Sequence, residues 1–171
     1  MTFDDAFDRL MGHEGILSLD PEDAGNWTGG GKGLGELRGS KYGVSAASYA
    51  TLNIKALTRD DAKVIFRRDF WSRINADKLP DGVAWQLADY AYNSGVETAI
   101  RHFQRALGVA DDGRWGPVSQ AAADMTSESD AIMRLVAERL DYLSRLVAWT
   151  TQGRGWARRL ANDLRYGAED S

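Results

Sequence analysis

Phe3-Asp4-Asp5-Ala6-Phe7-Asp8-Arg9-Leu10-Met11-Gly12-His13-Glu14-Gly15 is the stretch on which the fold turns. Phe3, Phe7, Leu10 and Met11 recur at i, i+4, i+7 and i+8, which draws one apolar stripe along a helix. The same wheel brings Glu14, eleven residues after Phe3, back close to that stripe. Gly15 then supplies a stop signal. The spacing predicts an amphipathic helix whose apolar face closes on a carboxylate. A carboxyl so placed loses water, and desolvation raises its pKa toward the range a general acid needs. An ordinary helix-end acid held by a nearby arginine fits the same spacing, so the wheel leaves both readings open.

Downstream, from Ile16 to Gly43, no helical period is present, and seven of the fifteen residues from Gly29 to Gly43 are glycine. Such a stretch is a small strand-and-turn lobe or a functional loop. It is not a phosphate loop, because Gly31-Lys32 lacks the upstream glycine and is followed by Gly33. Helical signals then take over. Thr58-Arg59-Asp60-Asp61 reads as an N-cap and acidic first turn for a helix carrying Ala62, Ile65, Phe66 and Phe70. Pro80-Asp81-Gly82 opens the next, which Gly95 closes. A shorter helix is expected from about Thr98 to Leu107, and the turns at Asp111-Asp112-Gly113 and Gly116-Pro117 bracket Arg114 and Trp115. Ser129 reads as the cap of the longest helix, with Ile132, Leu135, Val136, Leu140, Leu143 and Val147 on its stripe. Gly153 and Gly155 are expected to break the chain before a last helix, Trp156 to Tyr166. The fold class is therefore mainly α, with a small irregular or β lobe near the N-terminus.

Composition narrows the chemistry. Of 171 residues, 43% are apolar and 10% aromatic, enough for a packed core and against a disordered chain. There is no cysteine, which excludes disulfides, a thiolate nucleophile and cysteine-based zinc sites. No uncharged run reaches membrane-span length, and the acidic start of the chain (Asp4, Asp5, Asp8) is unlike a signal peptide. Synthesis in a cytosol is the expectation. Charge is uneven: residues 1–36 hold eight acids against two bases, whereas residues 131–165 hold seven arginines against three acids. The arginine-rich end fits contact with an anionic envelope. It fits equally a solvated helix face bearing Arg134, Arg139 and Arg145. An acidic chain with no basic stripe interleaved with aromatics is a poor nucleic-acid binder.

His13 and His102 are the two histidines, in no metal-binding spacing, and no GxSxG elbow supports a serine triad. Neither a metal nor a cofactor is expected. What remains is carboxylate chemistry. Asp23 follows Glu14 by nine residues in the polar loop Asp20-Pro21-Glu22-Asp23. Two carboxyls in contrasting surroundings, one protonated and one charged, suit glycosidic bond cleavage. Trp27, Tyr42, Trp85, Tyr90 and Tyr92 could offer flat faces to sugars, or form core. Asp89 and Asn93 share a helix face at i, i+4.

Gly12-His13-Glu14-Gly15, Asp20-Pro21-Glu22-Asp23 and Ser40-Lys41-Tyr42-Gly43-Val44-Ser45 resemble the N-terminal region of glycoside hydrolase family 108. These are phage endolysins and bacterial muramidases that cut peptidoglycan. Arg68-Asp69-Phe70-Trp71 and Asp89-Tyr90-Ala91-Tyr92-Asn93-Ser94-Gly95 fit the same family, and Asp111 to Pro117 is similar to its C-terminal peptidoglycan-binding segment. The resemblance implies a lysozyme-like helical fold, with a muramidase lobe over residues 1–95 and a helical peptidoglycan-binding lobe over 96–171. It implies that Glu14 protonates the glycosidic oxygen between N-acetylmuramic acid and N-acetylglucosamine. Asp23 would be the second catalytic acid. Ser40 would be its partnering hydroxyl, with Thr28 the competing match, and Tyr42 and Asn93 would bind substrate. Three departures from the family pattern stand out: Ile16-Leu17 after Glu14-Gly15, a glycine-rich insertion from Trp27 to Gly39, and serine at position 40. The implied enzyme is a monomer reaching the wall through a holin-type lesion or a dedicated secretion route. A lytic transglycosylase and a non-catalytic wall-binding module are the alternatives.

Overall fold

Ten consecutive residues, Gly82 to Ala91, are buried in helix α3, Asp81–Ser94. A helix buried on all sides, here mostly by apolar residues with Gln86 and Asp89 among them, belongs at the centre of a bundle. In the computed structural model, which describes residues 1–12 and 17–170, α3 packs against α4 (Val96–Ala106), α6 (Glu128–Ser144) and α7 (Trp149–Asp170). Helix α5, Pro117–Asp124, follows the Asp111–Gly116 turns. Earlier in the chain lie α1 (Phe3–Met11), the two-residue strands β1 (Ser40–Lys41) and β2 (Val44–Ser45), and α2 (Arg59–Phe66). The mainly α class with a small β element is what the sequence led us to expect. Among the described residues, no helix is long and apolar enough to cross a membrane.

The chain forms two compact units, Asp4–Arg67 and Arg68–Ser171 together with Met1–Phe3. The division does not coincide with the expected boundary after residue 95, because α3 and α4, on either side of Gly95, share one helical core. In the first unit, Phe7 and Phe66 meet at 5.8 Å between ring centroids, and Ala6, Met11, Val44, Ile54 and Ile65 are buried. Thr58 caps α2 as expected: its hydroxyl accepts from Asp61 N while Asp61 accepts from Thr58 N, a reciprocal capping box.

Four helix ends differ from their sequence signals. Helix α1 stops at Met11, because Gly12 turns left-handed (φ 51°) and returns its N–H to Asp8 O at 2.9 Å. Helix α4 starts at Val96, immediately after Gly95. Helix α6 is capped by Ser127, whose hydroxyl accepts from Asp130 N, which puts Ser129 inside the first turn. Helix α7 runs unbroken through Gly153 and Gly155 and outlasts α6. Its glycines make room rather than breaks. A Cβ on Gly153 would stand 2.8 Å from the Trp149 ring, and one on Gly167 would stand 2.8 Å from Ile132 Cγ2 on α6. Close approach of α6 at Gly167 and the Trp149 ring folded back over Gly153 offset the roughly 1 kcal/mol that each of these glycines costs the helix.

Candidate active site

In the unit Asp4–Arg67, the candidate residues hang on a small hydrogen-bonded lobe. Strands β1 and β2 pair antiparallel with Ser40 opposite Ser45 and Lys41 opposite Val44. On its other side Ser40 exchanges both backbone hydrogen bonds with Ser18, at 2.9 and 3.0 Å. Ser40 thus occupies the middle of three extended segments. Gly39 before it has φ 85°, and a Cβ there would lie 2.3 Å from Ser18 O, so only glycine fits. Tyr42 (φ 50°) and Gly43 (φ 69°) make the two-residue turn, both with positive φ as a type I′ hairpin requires. A tyrosine in that conformation is strained, a feature that clusters at functional sites. Lys41 Nζ lies 5.3 Å from the Tyr42 ring centroid and donates to Leu57 O at 2.7 Å.

Asp23 stands at the entrance to a single 3₁₀ turn, Ala24–Asn26, and its Oδ1 accepts from Gly25 N at 2.8 Å. The link from Asp23 to Ser40 is Asn26, fully buried. Asn26 O accepts from Arg38 N and Gly39 N, while Asn26 Nδ2 donates to Asp20 O and Ser18 Oγ. The acidic loop and the approach to Ser40 are therefore tied through one residue, by its side-chain amide on one side and its backbone carbonyl on the other. Sequence reasoning missed Asn26, and an asparagine between a polar loop and a glycine-rich one carries no periodic signal. Thr28 is engaged elsewhere: its hydroxyl accepts from Glu36 N at 2.9 Å, closing the base of the glycine-rich insertion. Glu14 and His13 lie outside the described residues.

The unit Arg68–Ser171 holds a second polar cluster. Asn93 Nδ2 donates to Asp89 O (2.7 Å) and Oδ1 (3.0 Å), confirming the shared helix face. Asp89 Oδ2 accepts from Arg139 Nη1 at 2.7 Å, and the same Nη1 reaches Asp163 Oδ2 at 3.1 Å. All three charged side chains are buried. Burial and the neighbouring Asp89 push the Asp163 carboxyl up to about 7, against the opposing pull of Arg139 and Arg159. Arg159 Nη1 donates to Asn93 Oδ1 and lies 3.6 Å from Asp89 Oδ1. Beside the cluster, the Tyr90 hydroxyl and His102 Nδ1 share a hydrogen bond; burial raises the tyrosine's pKa and lowers that of the imidazole.

Arg139 is therefore no part of a wet helix face. Arg134 and Arg145 are exposed and pair with Asp130 and Asp141 one turn earlier. Arg139 instead occupies the apolar stripe, four residues after Leu135 and four before Leu143. The spacing held that signal. Leu140 and Val147, placed on the stripe by sequence, are exposed. Of the expected sugar platforms, Tyr90 is fully buried and Trp85 packs edge-on against Tyr166 at 5.1 Å, so both are core. Trp115 stacks on Phe103 at 5.6 Å. Gln104 ties the neighbouring turn, donating to Asp112 Oδ1 and Ser119 Oγ and accepting from Gly113 N.

The family model described as glycosyl hydrolase 108 matches residues 7–95. Among solved structures, that titled "Structure of Brucella abortus SagA" is similar over 99% of this chain and 95% of that one. The two share 27% sequence identity, with a TM-score of 0.85. No curated protein matches.

Proposed function

The chain belongs to the glycosyl hydrolase 108 family, and from that premise we propose that it cleaves the β-1,4 bond between N-acetylmuramic acid and N-acetylglucosamine. That it is a glycoside hydrolase of the peptidoglycan-degrading kind follows from the family. The observation that carries the finer reading is that the match, over residues 7–95, spans Glu14, Asp23, Ser40, Tyr42 and Asn93 together.

In this reading Glu14 protonates the leaving glycosidic oxygen, and Asp23 positions or activates the water that attacks an oxocarbenium-like centre. The Asn26 tie supports pairing Asp23 with Ser40, and the engagement of Thr28 by Glu36 speaks against Thr28 in that role. Tyr42, held in its strained turn, and Asn93 are proposed to contact the glycan. The proposed use is lysis of bacterial cells in the manner of a phage endolysin, with the arginine-rich C-terminus meeting the envelope.

Glu14→Gln is expected to leave a folded protein that clears cell-wall suspensions about 10³-fold more slowly. Retained lysis would discard the assignment. Asp23→Ala is expected to lose about 10²-fold, and near-normal turnover would leave Glu14 working with water alone. Mass spectrometry of the products checks the bond: free reducing muramic acid ends support hydrolysis, and 1,6-anhydro ends would make the enzyme a transglycosylase.

A further inference from the structure

A cavity of about 580 Å³ opens within the unit Arg68–Ser171, lined by Asn93 of α3, Arg139 of α6, and Gln152, Trp156 and Arg159 of α7, with Leu146 between the last two helices. Of its lining, only Asn93 is proposed to touch the glycan, and neither proposed catalytic acid belongs to it. Its volume suits a ligand of a few residues rather than a polymer strand.

The polar groups around it are not in balance. Arg139 is 2% exposed, yet its Nε has no hydrogen-bond partner among the described residues. A buried guanidinium N–H left unbonded costs free energy that a ligand acceptor would recover. Arg159, half exposed, spends Nη1 on Asn93 and Asp89. The charges facing Asp163 are Asp89 from α3, Arg139 from α6 and Arg159 from its own helix. While Asp163 keeps its proton, two guanidiniums face one carboxylate, and the cluster carries one positive charge in excess.

We propose that this cavity binds the free carboxylate of a short, small-residue peptide. The carboxylate would meet the Arg159 fork at the rim and the excess charge of the cluster behind it. The Gln152 amide matches a peptide N–H or C=O group, and Trp156 with Leu146 gives the apolar wall that small methyl-bearing side chains need. Such an end is found on peptidoglycan peptides, in D-configuration, and on ordinary polypeptides, in L-configuration. Where it concerns the wall the inference rests on the proposed function, but its test uses no hydrolysis.

The test is a titration of the full-length ¹⁵N-labelled protein with N-acetyl-dialanine, in D,D and L,L forms, each as free acid and as C-terminal amide. The Trp156 indole and Arg159 side-chain resonances are followed. The acid is expected to shift both and the amide to bind at least about tenfold more weakly. Saturable binding of either acid supports the site, and the preferred configuration names the source. Arg159→Gln, a rim substitution, is expected to weaken the acid about tenfold with an unchanged unfolding temperature. Affinity is further expected to fall as pH rises through about 7, where Asp163 releases its proton and the excess charge disappears. No shift at tens of millimolar, equal binding of acid and amide, or unaltered binding by Arg159→Gln would each overturn the proposal.

Discussion

The two compact units keep polar groups inside by opposite means. In Asp4–Arg67 the buried polar side chain among the described residues is neutral: the Asn26 amide donates to Asp20 O and Ser18 Oγ, and glycines in positive φ let the chain pass close to itself. In Arg68–Ser171 a cluster of ionisable groups, Asp89 and Asp163 around Arg139, is buried in the helical bundle alongside neutral polar side chains such as Gln86 and Gln104. The first arrangement depends on backbone geometry and tolerates no added atom. The second depends on the sum of charges and tolerates no lost one. Each should fail to its own kind of substitution.

Arg139 is where the second arrangement breaks hardest. Arg139→Met keeps an unbranched apolar stem but removes the guanidinium, leaving Asp89 and Asp163 facing each other in the core without it. Breaking a buried pair by removing one partner costs about 3–5 kcal/mol. The expected outcome is a large drop in unfolding temperature, measured by circular dichroism. The loss should shrink in a second variant that also carries Asp89→Asn and Asp163→Asn, since the uncompensated charges go with it. A single variant as stable as the parent would mean that the cluster is solvated rather than buried.

That arginine also shows what a sequence can and cannot tell. Helix existence is carried by period and caps, so α2, α3 and α6 follow from Thr58, Pro80 and the Ile132–Leu143 stripe. Helix ends were less readable, because Gly12 and Gly153 are the same residue doing opposite things: one turns left-handed, the other admits the Trp149 ring. Residue type misled at position 139, where charge suggested solvent and the spacing pointed inward. The family was readable by resemblance. Asn26 was not, since its role is a set of hydrogen bonds between segments distant in sequence, and no local pattern encodes those.

Gly39 tests the other unit. Gly39→Ala would drive a methyl to 2.3 Å from Ser18 O while holding an L-residue at φ 85°. Left-handed strain and overpacking each cost about 1–3 kcal/mol, and the oxygen they press on is backbone with little freedom to yield. We expect a loss of about 2–4 kcal/mol and reduced wall hydrolysis. Hydrogen exchange localises the damage: amides of Ser18, Ser40 and Ala46 should lose protection before those of α3 and α6. Uniform loss across both units would mean that the two arrangements are not independent.

The smallest effect reads the charge balance directly. Asp163 has its carboxyl raised from 3.8 to about 7 in the folded protein, so the native state holds a proton that the unfolded chain releases. Its contribution is fully present below the unfolded value, declines as pH rises, and is gone once pH passes the folded value. Asp61, Asp111 and Asp112 run the other way: hydrogen bonds hold them below the usual carboxylate range, so what they contribute is lost only in acid. Between pH 5 and 8 those three stay ionised; His102, its imidazole pushed down from 6.5 by burial, adds a slope of opposite sign that the parent and an Asp163 variant share, so the difference between the two belongs to the buried cluster. Asp163→Asn fixes the neutral form, so its stability should decline less with pH across that window. At pH 8 it should exceed the parent by about 1–2 kcal/mol, seen as a higher midpoint in urea. A variant whose stability falls with pH as steeply as the parent's would place the titrating proton elsewhere. Arg139 would then be balanced by two ionised carboxylates, and the excess positive charge beside the cavity would be absent.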